Sequence, residues 1–378
     1  MPLPHGVYRA DHVGSFLRPK SVLEARQKAA NGEISAADLR KVEDEAVGKV
    51  AKLQIENGIR SITDGEFRRA YFHLDFLKHL AGIEEKGQVG NIRHKDGFSP
   101  PTLVVKGKLG HPEAIQVDDF NFLEQAIKAN GGAATTKVCI PSPTMVHFRG
   151  GRASIDISAY PDLDVFFEDL ARVYQEELDS LYQAGCRFVQ LDDTNLAYLC
   201  DPDMRKAAET ERGEDLSVLP RKYAALINAA ISKRPADMKI GIHLCRGNYR
   251  SKWFASGGYE PVAEVLFKEL NVDAYFLEYD DARSGDFSPL RHLPEHKVVV
   301  LGVMSSKKNE LDNKEEIIGR LREAASIAPK GLDQLCLSHQ CGFSSTAEGN
   351  ELTEEEQWAK VRLEVEIAKQ VWGEDLSQ

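Results

Sequence analysis

Lys239-Ile-Gly-Ile-His243-Leu-Cys245-Arg-Gly-Asn248 decides how the rest of this chain is read. A short β-branched run ends in a histidine and a cysteine two positions apart, the pattern of a strand that delivers half a metal site. Similar runs recur on both sides of it. Strands are expected at Tyr8–His12, Ile59–Thr63, Lys137–Ile140, Arg187–Leu191, Lys239–His243, Ala274–Leu277, Val298–Gly302 and Gln334–Leu337. Between most of them lie helical patterns with apolar residues at three- and four-residue spacing: Leu163–Ala184, Val262–Leu270, Lys314–Ala325 and Glu354–Val371. Alternating strands and helices in this number predict an α/β fold of the (β/α)8 TIM-barrel type.

Two stretches depart from the repeat. Residues Ser21–Asn57 predict extra N-terminal helices, broken at Asn31-Gly32 and restarted with Ser35 as N-cap. Residues 82–132 read as an insertion rich in Gly, Pro and His, in which Thr102-Leu-Val-Val-Lys-Gly-Lys-Leu alternates like a hairpin-like excursion. With no repeat, low-complexity run or linker, residues 1–378 are expected to form a single elaborated domain.

Composition narrows the class. Hydrophobic content of 42% and charged content of 28% suit a water-soluble globular protein with a sizeable core. A net charge of -11 argues against nucleic acid, whose phosphates need local positive charge. No run approaches the roughly 20 apolar residues that a membrane helix requires, and Met-Pro-Leu-Pro-His-Gly-Val-Tyr lacks the features of a signal peptide. Cys139, Cys186, Cys200, Cys245, Cys336 and Cys341 are scattered, which favours reduced thiols and a cytoplasmic location.

The end of the fifth expected strand carries His243 and Cys245, the end of the sixth Glu278, and Cys341 follows the eighth. In a barrel, strand C-termini point into the site of chemistry. One imidazole, two thiolates and a carboxylate suit zinc better than the oxygen-seeking cations. Each residue also has a plainer reading: His243 as a core histidine, Glu278 as a partner for Arg283, Cys186 and Cys336 as small buried hydrophobes. His339 competes with Cys341 as a ligand or supports it from behind.

Five segments then carry a resemblance: His12-Val-Gly-Ser-Phe, Asp64-Gly-Glu66, Val189-Gln-Leu-Asp192-Asp193, His243-Leu-Cys245 and His339-Gln-Cys341-Gly, with Glu278 between the last two. In this order they resemble the catalytic C-terminal barrel of cobalamin-independent methionine synthase, in its short single-barrel form, over nearly the whole chain. The resemblance implies zinc (Zn2+) on His243, Cys245, Glu278 and Cys341. It implies that Gly14 and Ser15 hold the carboxylate of homocysteine, while Glu66 and Asp192 hold its ammonium group and act as the catalytic carboxylates. Read apart from the resemblance, Gly14-Ser15 also suits an ordinary turn, and Glu66 a surface pair with Arg68 or Arg69. Asp193 and Arg18 are further pocket candidates without assigned roles.

The implied activity is zinc-dependent methyl transfer to homocysteine, giving methionine, from 5-methyltetrahydrofolate, its polyglutamate or another methyl carrier. That is the reaction of a 5-methyltetrahydropteroyltriglutamate-homocysteine methyltransferase. Such an S-methyltransferase needs small-molecule partners only, with no nucleic acid or membrane, and the sequence leaves its oligomeric state open. The chain departs from the family at three points. It leaves no room for the extra N-terminal barrel that contributes to folate binding. Gly302-Val-Met-Ser305-Ser306-Lys307-Lys308 replaces a segment with a proton-donor histidine, and Pro143-Thr-Met-Val-His147-Phe148 stands where a tryptophan stacks on the pterin. His147 or Phe148 is the available flat surface. Two rival readings remain: zinc-dependent alkyl transfer to another thiol, as in epoxide opening by coenzyme M, and a non-catalytic zinc-binding protein.

Overall fold

A computed structural model describes residues 2–86 and 101–377. Two helices, α1 (Lys20–Ala30) and α2 (Ala36–Glu56), precede β1 (Ser61–Ile62). Ser35 caps α2, its Oγ accepting from Asp38 N at 3.1 Å and so satisfying an amide the helix cannot. After the short α3 (Leu74–Leu77) the chain leaves the barrel as an antiparallel hairpin of β2 (Ala81–Lys86) and β3 (Thr102–Gly110). The part of the expected excursion at 87–100 lies outside the described residues. Its second half is more regular than its Gly and Pro content suggested. There α4 (Val117–Ala129) buries Phe120, Leu123 and Ile127, an apolar stripe at helical spacing.

The chain continues through β4 (Thr135–Thr136), β5 (Val138–Pro141), α5 (Leu163–Ala184), β6 (Phe188–Asp193), α6 (Asn195–Tyr198), α7 (Pro202–Arg212), α8 (Leu219–Ile231) and β7 (Lys239–Leu244). It ends with β8 (Ala274–Glu278), β9 (Val298–Met304), α9 (Lys314–Ile327), β10 (Leu335–His339) and α10 (Glu354–Trp372). Where one helix is expected over Val262–Leu270, the backbone forms a 3-10 turn and then a single π-turn, Val265–Glu269. Asn228 of α8 accounts for this ending: its side chain binds both Glu269 O and Asn271 N at 2.7 Å and pulls the chain out of the helix.

The fold is α/β, with its parallel strands in the order of a (β/α)8 barrel. Parallel ladders join β10, β9, β8, β7, β6 and β5 in that order, and β1 pairs in parallel with β4, directly before β5. Residues around Ala10 supply the first stave, bridged in parallel to Leu337 of β10. The seam between that stave and β1 is held by His12 Nε2 and Ser61 O at 2.7 Å and by Thr63 Oγ1 donating to Gly14 O at 2.6 Å.

The barrel interior is layered. One end is plugged by Val7, Phe188, Ala274, Phe276, Val298, Val300 and Cys336, all buried. Lys137 and Asp11 form a buried ion pair of 2.6 Å, with the ammonium 4.4 Å from the Phe276 ring. The carboxyl ends of the strands, where barrels carry their chemistry, bring together the acidic and sulfur-bearing residues.

Candidate active site

Ladder register accounts for the first part of the site. Asp192 of β6 is the register partner of His243 in β7, and His243 in turn faces Phe276 of β8. Strand geometry turns His243 and Cys245 toward the same side, because alternate side chains share a face. Glu278, the last residue of β8, pairs in register with Gly302 of β9.

Cys341 reaches the same place through a break in regularity. The ladder between β9 and β10 shifts register between Ser338 and His339, and Gln340 N then donates to Met304 O at 2.9 Å. Such irregularities re-aim a strand end. Gly302 permits it: a Cβ there would lie 2.5 Å from Gln340 Cα. The result is a sulfur–sulfur distance of 3.5 Å between Cys341 and Cys245.

His243, Cys245, Glu278 and Cys341 offer ligand atoms within 4.8 Å of one another, and all four are buried. His243 Nδ1 lies 3.1 Å from Phe276 O, which fixes the ring, while Nε2 has no hydrogen-bond partner among the described residues. The Cys341 thiol is held well below its usual range, first by its hydrogen bond with Cys245 and then by His243. Burial opposes charge on His243, but Cys341, Asp192 and Glu278 raise its pKa to about 9. An imidazole, two cysteine sulfurs and a carboxylate at this spacing fit a zinc ion. Glu278 also pairs with Arg283, accepting from Nη2 at 3.0 Å and from Arg246 N at 2.5 Å. The pairing with Arg283 is thus present in a residue that also belongs to the four-residue cluster.

A second cluster lies beside the first. Glu66, Cys139 and Asp192 come within 4.8 Å of one another, all buried. Glu66 stands in the left-handed region with φ 60°, uncommon for a residue with a side chain. The turn is tied by Glu66 N donating to Asp64 Oδ1 at 2.8 Å. Gly14 fits against this cluster because it lacks a Cβ, which would lie 2.7 Å from Cys139 Sγ. Burial pushes Glu66 up to about 7, against the pull of Arg69, and pushes Asp192 up to about 6. Glu66 is thus buried rather than paired at the surface. Arg68 turns to Asp44, Asp64 and Asp119 instead. Ser15 is buried, and its Oγ accepts from Ser344 N at 3.2 Å, close to Cys341 in sequence.

Other candidates have structural roles. Asp193 accepts from Thr144 Oγ1 and from the amides of Asn195 and Leu196, so it caps α6. Arg18 donates to backbone oxygens of Glu66, Arg69, Ser344 and Thr346, binding two loops together. His147 is bonded to Tyr223 at 2.9 Å and Phe148 is buried beneath Arg212, so neither offers an open face. His339 turns away from the four-residue cluster toward Glu364, its Nδ1 at 2.8 Å, and burial lowers its pKa to about 3.

Two contributors carried little signal. Cys139 looked like one scattered cysteine, though its place at the end of the third strand run was a usable clue. Lys307 lies in the segment that lacks the expected histidine. It donates to Gly247 O at 3.0 Å and stands 4.0 Å from Glu278 Oε2.

Fold and site define an α/β protein with a buried, metal-capable cluster at the carboxyl ends of its parallel strands. The chain belongs to the cobalamin-independent synthase family: the model of its catalytic domain matches residues 9–370. YxjH, an uncharacterized protein of Bacillus subtilis strain 168, is 45% identical over 97% of this chain and 95% of its own length. A Listeria monocytogenes crystal structure, provisionally named a vitamin-B12-independent methionine synthase, matches with 38% identity and a TM-score of 0.76, covering 99% of this chain and 100% of that one. A B12-independent methionine synthase from Shewanella sp. W3-18-1, solved with selenomethionine, shares the fold at 18% identity and a TM-score of 0.72, covering 97% and 98%. Membership supports a methyltransferase. Among the described residues, no helix is long and apolar enough to cross a membrane.

Proposed function

We propose that this chain, as one domain spanning residues 1–378, transfers a methyl group to the thiol of homocysteine and forms methionine. The observation that carries the reading is the contact between two buried clusters, one fit for a metal and one acidic, through the register pair Asp192–His243. His243, Cys245, Glu278 and Cys341 would hold zinc. Zinc bound there supplies the acidity that makes a substrate thiol, with a free pKa near 8.5, react as its thiolate.

The protein's own residues provide the rest. Glu66 and Asp192 hold the substrate ammonium, and backbone amides near Gly14 and Ser15 face its carboxylate. These contacts orient the sulfur toward an incoming methyl carbon. The sulfur–carbon bond forms as the methyl–donor bond breaks, and that bond's electron pair leaves with the donor. The cavity beside Cys245 (≈ 50 Å³) supports a catalytic centre over a closed storage site, because catalytic metal sites keep an approach open. The two carboxylates at the thiol site favour an amino-acid thiol over one ending in sulfonate.

The test is to load the protein with zinc and supply homocysteine with 5-methyltetrahydrofolate, its polyglutamate and methylcobalamin in turn. Methionine is expected with one of them. Tight zinc binding with no methionine from any donor would contradict the proposal.

A further inference from the structure

We infer that the cavity beside Cys245 receives the alkyl donor and that Arg149 holds an anionic group on it. This rests on the proposed thiol chemistry and adds the class of the second substrate. The cavity of ≈ 50 Å³ is walled by Tyr71, His73, Arg149, Tyr198, Asn248 and the backbone of Gly247, and Cys245 is the one member of the four-residue cluster among its lining residues. Glu66 and Asp192 do not line it. The amino-acid end of the thiol and the group that enters here therefore meet different walls.

Three side chains from three loops that line this cavity each carry at least one polar atom without a partner. Arg149 Nε and Nη1, His73 Nδ1 and Asn248 Oδ1 are buried atoms with no hydrogen-bond partner among the described residues. His73 follows β1, Arg149 follows β5 and Asn248 follows β7, so no single local motif explains the set. A buried donor left unmade is costly, more so when it is charged. A ligand anion resolves that cost for a guanidinium, whose planar fork matches a carboxylate, phosphate or sulfonate. His73 supplies no competing charge, because burial and Arg149 hold its pKa well below the ordinary histidine range. One cation thus lines the cavity beside a neutral imidazole and an amide oxygen, with Tyr71 and Tyr198 among the other lining residues.

A competition between two small alkylating agents tests this without knowing the natural donor. Zinc-loaded protein with homocysteine is offered equal amounts of iodoacetate and iodoacetamide. The homocysteine sulfur forms a bond to the CH2 carbon, the carbon–iodine bond breaks and iodide leaves. S-carboxymethyl- and S-carbamoylmethyl-homocysteine are then counted by mass spectrometry, after subtraction of the reaction without protein. The anionic product is expected to be favoured by the wild type. Its share relative to the neutral product should fall roughly 10- to 100-fold in Arg149→Gln, the value of one charge-assisted hydrogen bond. Arg149→Lys should recover part of it, which a folding defect would not do. An unchanged product ratio in Arg149→Gln overturns the inference and leaves thiol activation standing. Zinc-bound protein that accelerates neither alkylation overturns both. With coenzyme M as the thiol, loss of its alkylation in Arg149→Gln at an unchanged product ratio would place the anion on the thiol, which also overturns the inference.

Discussion

On one side of the Cys245 sulfur, Asp192, His243 and Glu278 are fixed by consecutive strands in ladder register; on the other, His73, Arg149 and Asn248 come from loops. The strand side is closed, buried and dense with opposing charge. The loop side leaves a cavity and polar atoms without partners. Strand ends offer the precision that a metal and a reacting sulfur need, whereas loops can change their ligand without disturbing the barrel. On the proposed function, the thiol half is built on the scaffold and the donor half is hung from it.

The comparison breaks most visibly if the strand side is not essential. Cys245→Ser or Cys341→Ser should lower zinc affinity more than roughly 100-fold and abolish methionine formation, since even outer-shell changes cost 10- to 100-fold. Metal analysis of the purified variants, with turnover, checks this. A variant without zinc but with full turnover would separate the metal from the chemistry.

Next in size is the acidic cluster. Glu66→Gln should raise KM for homocysteine roughly 10- to 100-fold by removing one charge-assisted contact, with zinc content unchanged. Steady-state kinetics over homocysteine concentration reads it, and equal KM values would remove Glu66 from the ammonium site.

Titration sharpens the same point. Glu66 has a pKa of about 7 in the folded chain against an ordinary 4.5, chiefly because burial disfavours its charge. Its ionised form binds an ammonium, so kcat/KM for homocysteine should fall about tenfold per unit as pH drops below about 7. Stability runs the other way. A carboxyl that ionises later in the folded state destabilises it progressively as pH rises from about 4.5 to about 7. Glu66→Gln should remove the share of both trends that sets in near pH 7 and leave the share of Asp192, whose pKa is about 6, measured as a pH–rate profile and as Tm against pH.

The smallest expected effect tests the link between register and site. Gly302→Ala places a methyl group 2.5 Å from Gln340 Cα. It should destabilise the fold by about 1–3 kcal/mol, the usual cost of overpacking. It should also weaken zinc binding more than homocysteine recognition by Glu66. Denaturant unfolding and zinc titration read the two effects, and unchanged zinc affinity would mean that Cys341 is placed by something other than the backbone approach at Gly302.

The same division explains what could be read from the chain. Seven of the eight expected strand runs were legible as short apolar segments, while at Tyr8–His12 the backbone makes a single parallel bridge at Ala10; ladder order then puts Asp192 beside His243. Glu66 came only through resemblance. Its backbone conformation at φ 60° and its burial depend on a turn that no pattern announces. His73, Arg149 and Asn248 were not legible, since three loops distant in sequence share no periodicity. Asp193 and Arg18 looked like site residues because charge near a motif suggests chemistry, yet their hydrogen bonds go to an α6 cap and to loop carbonyls. In the insertion, Gly and Pro content concealed α4, whose apolar stripe was the better guide.

The most direct measurement is X-ray absorption at the zinc edge, on the zinc-loaded protein alone, with homocysteine and with coenzyme M. A metal held by His243, Cys245, Glu278 and Cys341 should show two sulfur neighbours at rest and a third only when homocysteine is added. No change in sulfur coordination with homocysteine, or a third sulfur with coenzyme M alone, would contradict the account.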